Sequence, residues 1–467
     1  MHATTDLVGK RARAALSDDF TGDTVIPGED GYDEARRVWN ATADKYPAIV
    51  AFCESASDVS AAVRMAREID IPLSVRGGGH QVAGLSVCDD GVLIDLSRMN
   101  TVVASADGSP TRAGGGSLLG QVDAANAKVG RITPAGVVSH TGLGGLALGG
   151  GVGWTFRHFG LTCDNIVGAE VVTANGDIVY AGEGGDTELL WALKGGGGNF
   201  GAVTRFDLQT YPLVDVILGQ AVFSLEQLPR AIEHYVKVMA DAPDELTAIC
   251  ITCLAPPLPG VPKEMIGRPS VMINAVWSGD DLEAGYAPVR ELVEGADPTV
   301  VTVDRMPYIA VQTMQDHLHP HGRRNYNKSR YLDRVDADTI AAMYTAAEGL
   351  PGIHCQIEIL RLGGAAQRVA VDATAFAHRS AGYILNIVAA WTEVEQTDVS
   401  IAWARRVYSS MDAFGSEAGY INFIDDEPDR VNSVYPPATY ARLQAVKTRL
   451  DPNKVFSGNV PIEPLKG

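Results

Sequence analysis

A chain of 467 residues exceeds what one hydrophobic core usually organises, so at least two domains are expected. Apolar residues at 46% and charged residues at 20% match the globular average, which excludes disordered and fibrous classes. The formal charge of −19 repels nucleic acid and anionic membrane surfaces, so neither is expected as a partner.

The N-terminal stretch "MHATTDLVGKRARAALSDDF" lacks the apolar core of a signal peptide, and no apolar run reaches the roughly 18 residues that span a bilayer. A cytoplasmic location is expected, with the six cysteines reduced and the sequons at Asn40 and Asn327 unused. From about Pro47 to Pro212 an α/β pattern of short strands, helices and glycine turns follows. "IVAFCES" reads as a strand, "SASDVSAAVRMAREID" as a helix capped by Ser57 with Asp58 in its first turn, and "IPLSVRG" as a strand. "GVLIDLSRM" and "VGAEVVTANGDIVYA" add strands, the latter folded into a hairpin at Asn175 and Gly176. "TELLWALK" reads as a helix and "AVTRFDLQTY" as a strand.

Glycine thins out after Pro212. "GQAVFSL", "TAICITCL" and "SVMINAVWSG" read as strands, and "LEQLPRAIEHYVKVMADAP" and "DTIAAMYTAAEGL" as helices, which gives a second, α+β unit with "APPLPGVPKE" as a loop tip. The basic stretch "GRRNYNKSRYLDR", with Arg323, Arg324, Lys328 and Arg330 among interleaved tyrosines, could line a pocket but reads first as a solvated face. The final stretch, from "GYINFIDDEP" onward, is too short and proline-punctuated for its own core and is expected to pack back onto the earlier domains.

Four glycine clusters stand out: "RGGGH" at Arg76 to His80, "RAGGGS" at Arg112 to Ser117, "GLGGLALGGGVG" at Gly142 to Gly153, and "GGGGNFG" at Gly195 to Gly201. Glycine lets backbone come close to a ligand, and successive bare N–H groups form concave anion sites. An extended ligand containing a pyrophosphate with attached rings is the natural expectation. The fourth cluster spells G-x-G-x-x-G at Gly196, Gly198 and Gly201, but a helix precedes it and a strand follows, the reverse of the dinucleotide fingerprint. "CITC" at Cys250 and Cys253 lies in a strand without the helix of a redox motif. "HLHPH" places His317, His319 and His321 at strand period, but Pro320 and the lack of carboxylates beyond Asp316 favour a loop, and no metal is expected.

"PLSVRGGGHQVAGLSV", "GLTCDNIVGAEVV", "LLWALKGGGGNFG" and the terminal "YINF" with "DPNKVF" resemble the vanillyl-alcohol oxidase and para-cresol methylhydroxylase (PCMH) flavoproteins. Within that superfamily they are similar to the berberine-bridge-enzyme-like branch, over Trp39 to about Leu213 and Gly419 to Pro461, with the middle matching only loosely. The resemblance implies an α+β fold: a two-part PCMH-type FAD-binding domain over 1–213, an α+β substrate domain with an antiparallel sheet over 214–410, and a segment over 411–467 returning to the FAD domain.

The same resemblance implies covalent FAD, bonded by His80 at the C8 methyl group and by Cys163 at C6. The cofactor-binding positions it marks are Arg76, Gly77, Gly78, Gly79, Gly84, Thr141, Gly144, Gly145, Gly149, Gly150, Gly153, Val167 and Val171, besides His80 and Cys163. Tyr420 and Asn422, the terminal Tyr-x-Asn, would lie at the flavin, Tyr420 as base and Asn422 as a hydrogen-bonding group. Tyr383 and Asn386 fall on the segment resembling the substrate-facing strand, although residues three apart on a strand cannot share a face. Some relatives carry a glutamate base in this segment, and none occurs between Asp372 and Ala390. The activity implied is FAD-dependent removal of a hydride from an alcohol group of a sugar, glycoside or bulky natural product, with O2 as acceptor. Oxidation of an amine, alkaloid or polyketide-type metabolite is the alternative.

Overall fold

A computed structural model describes residues 2–425, 434–458 and 460–466. Strands Ile49–Phe52, Val92–Asp95 and Leu73–Arg76 lie parallel, and Asp23–Val25 adds an antiparallel edge beside Ile49–Phe52. Ile49, Val50, Val92, Leu93 and Ile94 are all fully buried, the two-sided burial that parallel strands need. The helix Ala56–Glu68 crosses between the first two of these parallel strands in the chain. Its cap is Ser55, not Ser57. Ser55 has extended backbone angles and accepts the Asp58 N–H, while the Asp58 carboxylate accepts the Ser55 N–H.

A five-stranded antiparallel sheet follows, ordered Val102–Val103, Thr111–Gly114, Ala202–Leu208, Ile166–Val172, Ile178–Gly182. Its hairpin turns at Asn175 and Gly176 as the sequence suggests, with Gly176 at φ +78, a conformation that favours glycine. The "GGGGNFG" cluster joins helix Thr187–Leu193 to strand Ala202–Leu208.

The second unit is built on seven strands, all antiparallel. Their order is Val300–Pro307, Asp215–Ser224, Pro269–Trp277, Leu246–Leu254, Gln356–Arg361, Tyr383–Trp391, Arg324–Leu332. Alternation sends Cys250, Ile357, Ile359, Leu385 and Ile387 into a core with helices Leu228–Ala240, Leu282–Glu294, Ala337–Glu348 and Thr397–Ser410. Ile249, Ile251, Cys253, Leu360 and Ile384 point the other way, into a core shared with Trp154, Cys163 and Phe206 of the first unit. Cys250 and Cys253 therefore sit on opposite faces in different cores, which no disulfide or redox pair could use.

The basic stretch is not a solvated face. It forms the strand Arg324–Leu332, in which Lys328 and Arg330 are buried and Arg330 pairs with Asp412. The sequon residues Asn40 and Asn327 are buried as well. Asn40 donates to the carbonyls of Val82 and Asn325 and accepts the Asn325 N–H at 2.9 Å, so it stitches the two units together.

Helix Pro437–Leu450 returns to the first unit, where Leu443 and Val446 join the shared core. Its anchor is Lys447, fully buried, which donates to Asp451 at 2.6 Å and to the carbonyls of Asn199 and Phe456, both at 2.7 Å. Asp451 also accepts the N–H groups of Val455 and Phe456. Lys447→Met leaves that carboxylate buried without its cation, so a loss of about 3–5 kcal/mol is expected from denaturant unfolding. A loss below about 1 kcal/mol would show that the ion pair does not anchor the segment.

Candidate active site

The loop after strand Leu73–Arg76 meets the third glycine cluster, at Gly142, backbone to backbone. A Cβ built on Gly78 would lie 2.4 Å from the Gly142 nitrogen, and one built on Gly142 would lie 2.3 Å from the Gly78 nitrogen. Gly77 and Gly144 both face the Gly115 carbonyl, at 3.0 and 3.2 Å for a built Cβ. A cavity of about 250 Å³ opens beside this seam, walled by Gly77–Gly79, Gly116, Leu118, Trp39 and His140. Next to Gly116, the Ser117 hydroxyl is buried with no partner, and a side chain at Gly145 would meet nothing within 4 Å. Bare backbone along the cleft, with an orphaned hydroxyl between two of its lining residues, fits an elongated, polar cofactor such as FAD. Arg76 lines the cleft, but its guanidinium is held by the buried Asp95 carboxylate and the Arg37 carbonyl, so it braces the loop.

Gly79 takes φ +66, a left-handed turn that delivers His80. The imidazole stacks on Trp39, with centroids 4.2 Å apart and planes 17° from parallel, and its Nε2 lies 3.2 Å from His140 Nδ1. His321 meets His140 with centroids 5.2 Å apart. The "HLHPH" histidines thus do not align on a strand: Asp316–Leu318 is a short 3-10 turn, and His319 and His321 reach toward His80. Desolvation, then His140, His319 and His321, holds the His80 pKa well below the usual imidazole value, so this ring is neutral and nucleophilic.

The helix Leu143–Gly149 runs from the Gly142 end of the seam to Cys163, a span of about 10 Å. Cys163 donates its N–H to the Gly150 carbonyl at 2.7 Å, and its side chain is fully buried. Burial and the neighbouring Asp164 raise its thiol pKa well above the ordinary value, while Arg379 and Lys194 act in the opposite sense. Arg379 is itself buried and grips the Asp164 carboxylate with both terminal nitrogens.

Tyr420 and Asn422 close the far end of the helix. The Tyr420 hydroxyl oxygen accepts the Gly151 N–H at 2.6 Å and Asn422 Nδ2 at 2.9 Å, and Asn422 Nδ2 also reaches the Leu146 carbonyl at 2.9 Å. Side chains at Gly149 and Gly150 would strike Asn422 and Tyr420, at 2.0 and 2.8 Å. Burial raises the Tyr420 pKa above that of a free phenol despite these donors, so it is a weak base at neutral pH.

The face of the seven-stranded sheet that looks toward the first unit supplies the missing carboxyl. Ser329, Asn386 and Glu358 lie side by side across three strands, in registers Ser329↔Asn386 and Glu358↔Asn386. The Ser329 hydroxyl accepts the Tyr420 N–H at 3.1 Å, which ties this row to the Tyr-x-Asn segment. Asn386 Nδ2 and Gln356 Nε2 each donate to Glu358 at 2.8 Å. The oxygens Asn386 Oδ1 and Asn327 Oδ1 are buried with no partner, two acceptors on one face of the sheet. Desolvation pushes the Glu358 pKa up to about 7, with the Asn386 hydrogen bond opposing it. Tyr383 points the other way, into the helix-backed core under Arg361, and is excluded from the site by the alternation of its strand.

The remaining expected positions divide. Thr141 braces the turn before the helix, its carbonyl accepting the Leu119 N–H at 2.9 Å. Gly84 and Gly153 serve close packing, since a Cβ would lie 2.2 Å from Ala43 Cβ and 1.7 Å from the Ala135 carbonyl oxygen. Val171 packs in the shared core, whereas Val167 is exposed at the start of its strand. Sequence reasoning missed Glu358, His140 and Trp39. A lone carboxyl between isoleucines in "CQIEILRL" was the available signal for Glu358, a half-buried charge on a strand.

A cleft walled by glycine loops in one unit, joined to a second unit that carries a polar row on an antiparallel sheet, is the build of a flavin-dependent oxidoreductase of the PCMH type. The family model described as "FAD binding domain" matches residues 47–182, and the one described as "Berberine and berberine like" matches 419–463. An FAD-linked oxidoreductase of Dictyostelium discoideum is 30% identical, covering 92% of this chain and 91% of its own. (R)-6-hydroxynicotine oxidase of Paenarthrobacter nicotinovorans is 28% identical over 95% of this chain and 97% of its own. The crystal structure of 6-hydroxy-D-nicotine oxidase from Arthrobacter nicotinovorans superposes with TM-score 0.85 at 26% identity, covering 96% and 99% of the two chains. Glucooligosaccharide oxidase of Sarocladium strictum is 25% identical over 93% and 91% of the two chains. The chain belongs to the berberine-bridge-enzyme-like family of FAD-linked oxidoreductases.

The seam makes a direct prediction. Gly78→Ala drives a methyl group into the Gly142 backbone, and the purified variant is expected to hold at least about tenfold less flavin per chain than the wild type. Absorbance near the flavin and protein bands measures the ratio. A variant loaded like the wild type would remove the seam's assigned role.

Proposed function

We propose that this oxidoreductase bonds FAD through both His80 and Cys163 and removes a hydride from an alcohol carbon of a sugar, glycoside or bulky natural product, with O2 as acceptor. When bound, the flavin supplies the two-electron acceptor and passes the electrons on to O2. The observation that carries the alcohol reading is the Glu358 carboxyl, raised to about 7 and clamped by two amides in a row tied to Tyr420.

Glu358 accepts the hydroxyl proton of the substrate. The two amide N–H donors hold its carboxylate in one orientation, and Asn386 Oδ1 accepts from a second substrate hydroxyl. Tyr420, whose oxygen already receives two N–H groups, keeps its own hydrogen for a substrate oxygen and acts as a positioning phenol. The base role expected of it passes to Glu358. For attachment, the neutral His80 ring and the Cys163 sulfur supply the two nucleophiles; burial and Asp164 disfavour the Cys163 thiolate, and Lys194 and Arg379 oppose them only in part. Glucooligosaccharide oxidase, solved with a 6-S-cysteinyl, 8α-N1-histidyl FAD, supports that pairing.

A second reading, oxidation of an amine of the hydroxynicotine type, draws on the nearly full-length similarity to (R)-6-hydroxynicotine oxidase. Anaerobic mixing separates the two: bleaching by aldoses, oligosaccharides or glycosides supports the first reading, and bleaching by amines alone overturns it.

The pH dependence has a defined sign. A carboxyl with pKa about 7 is protonated below that value and cannot accept a proton, so the rate of anaerobic flavin reduction is expected to rise with pH through about 7 and then level. Glu358→Gln should slow this step about 10²- to 10³-fold and flatten the profile. An unchanged profile in the variant would assign the base elsewhere.

A further inference from the structure

His80 meets a second imidazole through Nε2, and its ring also hydrogen-bonds its own backbone. With the ring stacked on Trp39 and Nε2 directed at His140 Nδ1, the opposite nitrogen, Nδ1, is the one turned away from His140. His140 is held just as firmly. Ser139, which precedes it, gives its N–H to Asp316 at 2.7 Å and its hydroxyl to the other oxygen of the same carboxylate. Thr141, which follows, closes the turn onto the Val138 carbonyl at 3.1 Å. The loop carrying Asp316 is anchored on Trp39: the indole N–H donates to the His319 carbonyl at 2.8 Å, and the Gly322 N–H donates to the Trp39 carbonyl at 3.0 Å. The stacking partner of one imidazole and the anchor of the other are thus parts of one assembly, which also walls the flavin cleft.

We infer that His140 is a positioning residue for flavin attachment: it accepts the Nε2 hydrogen of His80 while His80 Nδ1 forms the bond to the flavin methyl carbon. The inference rests on the reading of His80 as an attachment point. In the net reaction one methyl C–H bond and one imidazole N–H bond are lost and one C–N bond forms. The two protons and two electrons released reduce O2 to hydrogen peroxide, so atoms and electrons balance.

The physical need for such an acceptor is local. An imidazole alkylated at one nitrogen and still carrying hydrogen at the other is a cation, and His80 lies in desolvated surroundings beside other imidazoles, where a cation is costly. Passing the hydrogen to His140 as the C–N bond forms moves that charge off His80 and onto an imidazole in the cleft wall. An acceptor at hydrogen-bond distance is what the geometry provides.

The test uses Cys163→Ala as background, in which every acid-stable flavin is attached through His80. Apoprotein from flavin-starved cells is mixed with FAD, and intact mass follows attachment with time. His140→Ala in this background is expected to bind FAD but attach it about a hundredfold more slowly, and added imidazole should raise that rate at least about tenfold. His140→Phe, which fills the space without an acceptor, should stay slow with or without imidazole. Attachment by either variant at the background rate overturns the inference, and so does a His140→Ala rate that imidazole leaves unchanged. If the background protein itself attaches no flavin, the His80 reading fails and takes this inference with it, a result distinct from slow attachment in the His140 variants alone.

Discussion

The structure depends on a contact made without side chains. Gly78 and Gly142 touch backbone to backbone, so any Cβ at either position would push the two loops apart. Because they touch, the loop delivering His80 and the helix leading to Cys163 form one edge, and Gly77, Gly78, Gly79 and Gly116 line the cleft beside it. Glycine costs conformational entropy on folding, and four such clusters amount to a sizeable penalty. The buried core shared by the two units, which runs from Phe206 to Ile384 and the returning Leu443, offsets that cost.

The second unit contributes chemistry through register. A sheet buried on both faces leaves few places for polar side chains, yet Gln356, Glu358 and Asn386 gather on the face toward the cleft. Ser329 in the same row fixes the backbone of Tyr420, so the C-terminal segment and the sheet are placed relative to each other by one hydrogen bond. On the opposite side of the cleft, Trp39 and Asn40 bind the loop after His319 and the strand that follows it. The site is therefore assembled from three stretches far apart in the chain, each fixed by hydrogen bonds to another.

Local signals in the sequence carried much of this. The alternation of "TAICITCL", the hairpin at Asn175 and Gly176, and the helix-then-strand context of "GGGGNFG" all depend on neighbouring residues and read correctly. What escaped depended on distant partners. "GRRNYNKSRYLDR" looks solvated by composition, but Asp412 and the Tyr408 ring, some eighty residues on, neutralise and cover Arg330. Ser57 and Ser55 are equally plausible caps by type, and only the backbone angles select Ser55. Tyr383 and Asn386 could not both face the cleft, and the period of two said so without saying which one would. The lone carboxyl of Glu358 stood out among isoleucines, but its role comes from Asn386 across the ladder, a pairing that no local pattern encodes.

The central claim is that two side chains on either side of the Leu143–Gly149 helix hold one flavin. The most direct measurement is the intact mass and colour of the chain after acid denaturation, for the wild type, each single replacement of His80 and Cys163, and the double replacement. The account expects one FAD added in the wild type and in both single variants, and none in the double variant. A wild-type chain that emerges colourless at its bare mass, or a double variant that keeps its flavin, would contradict it.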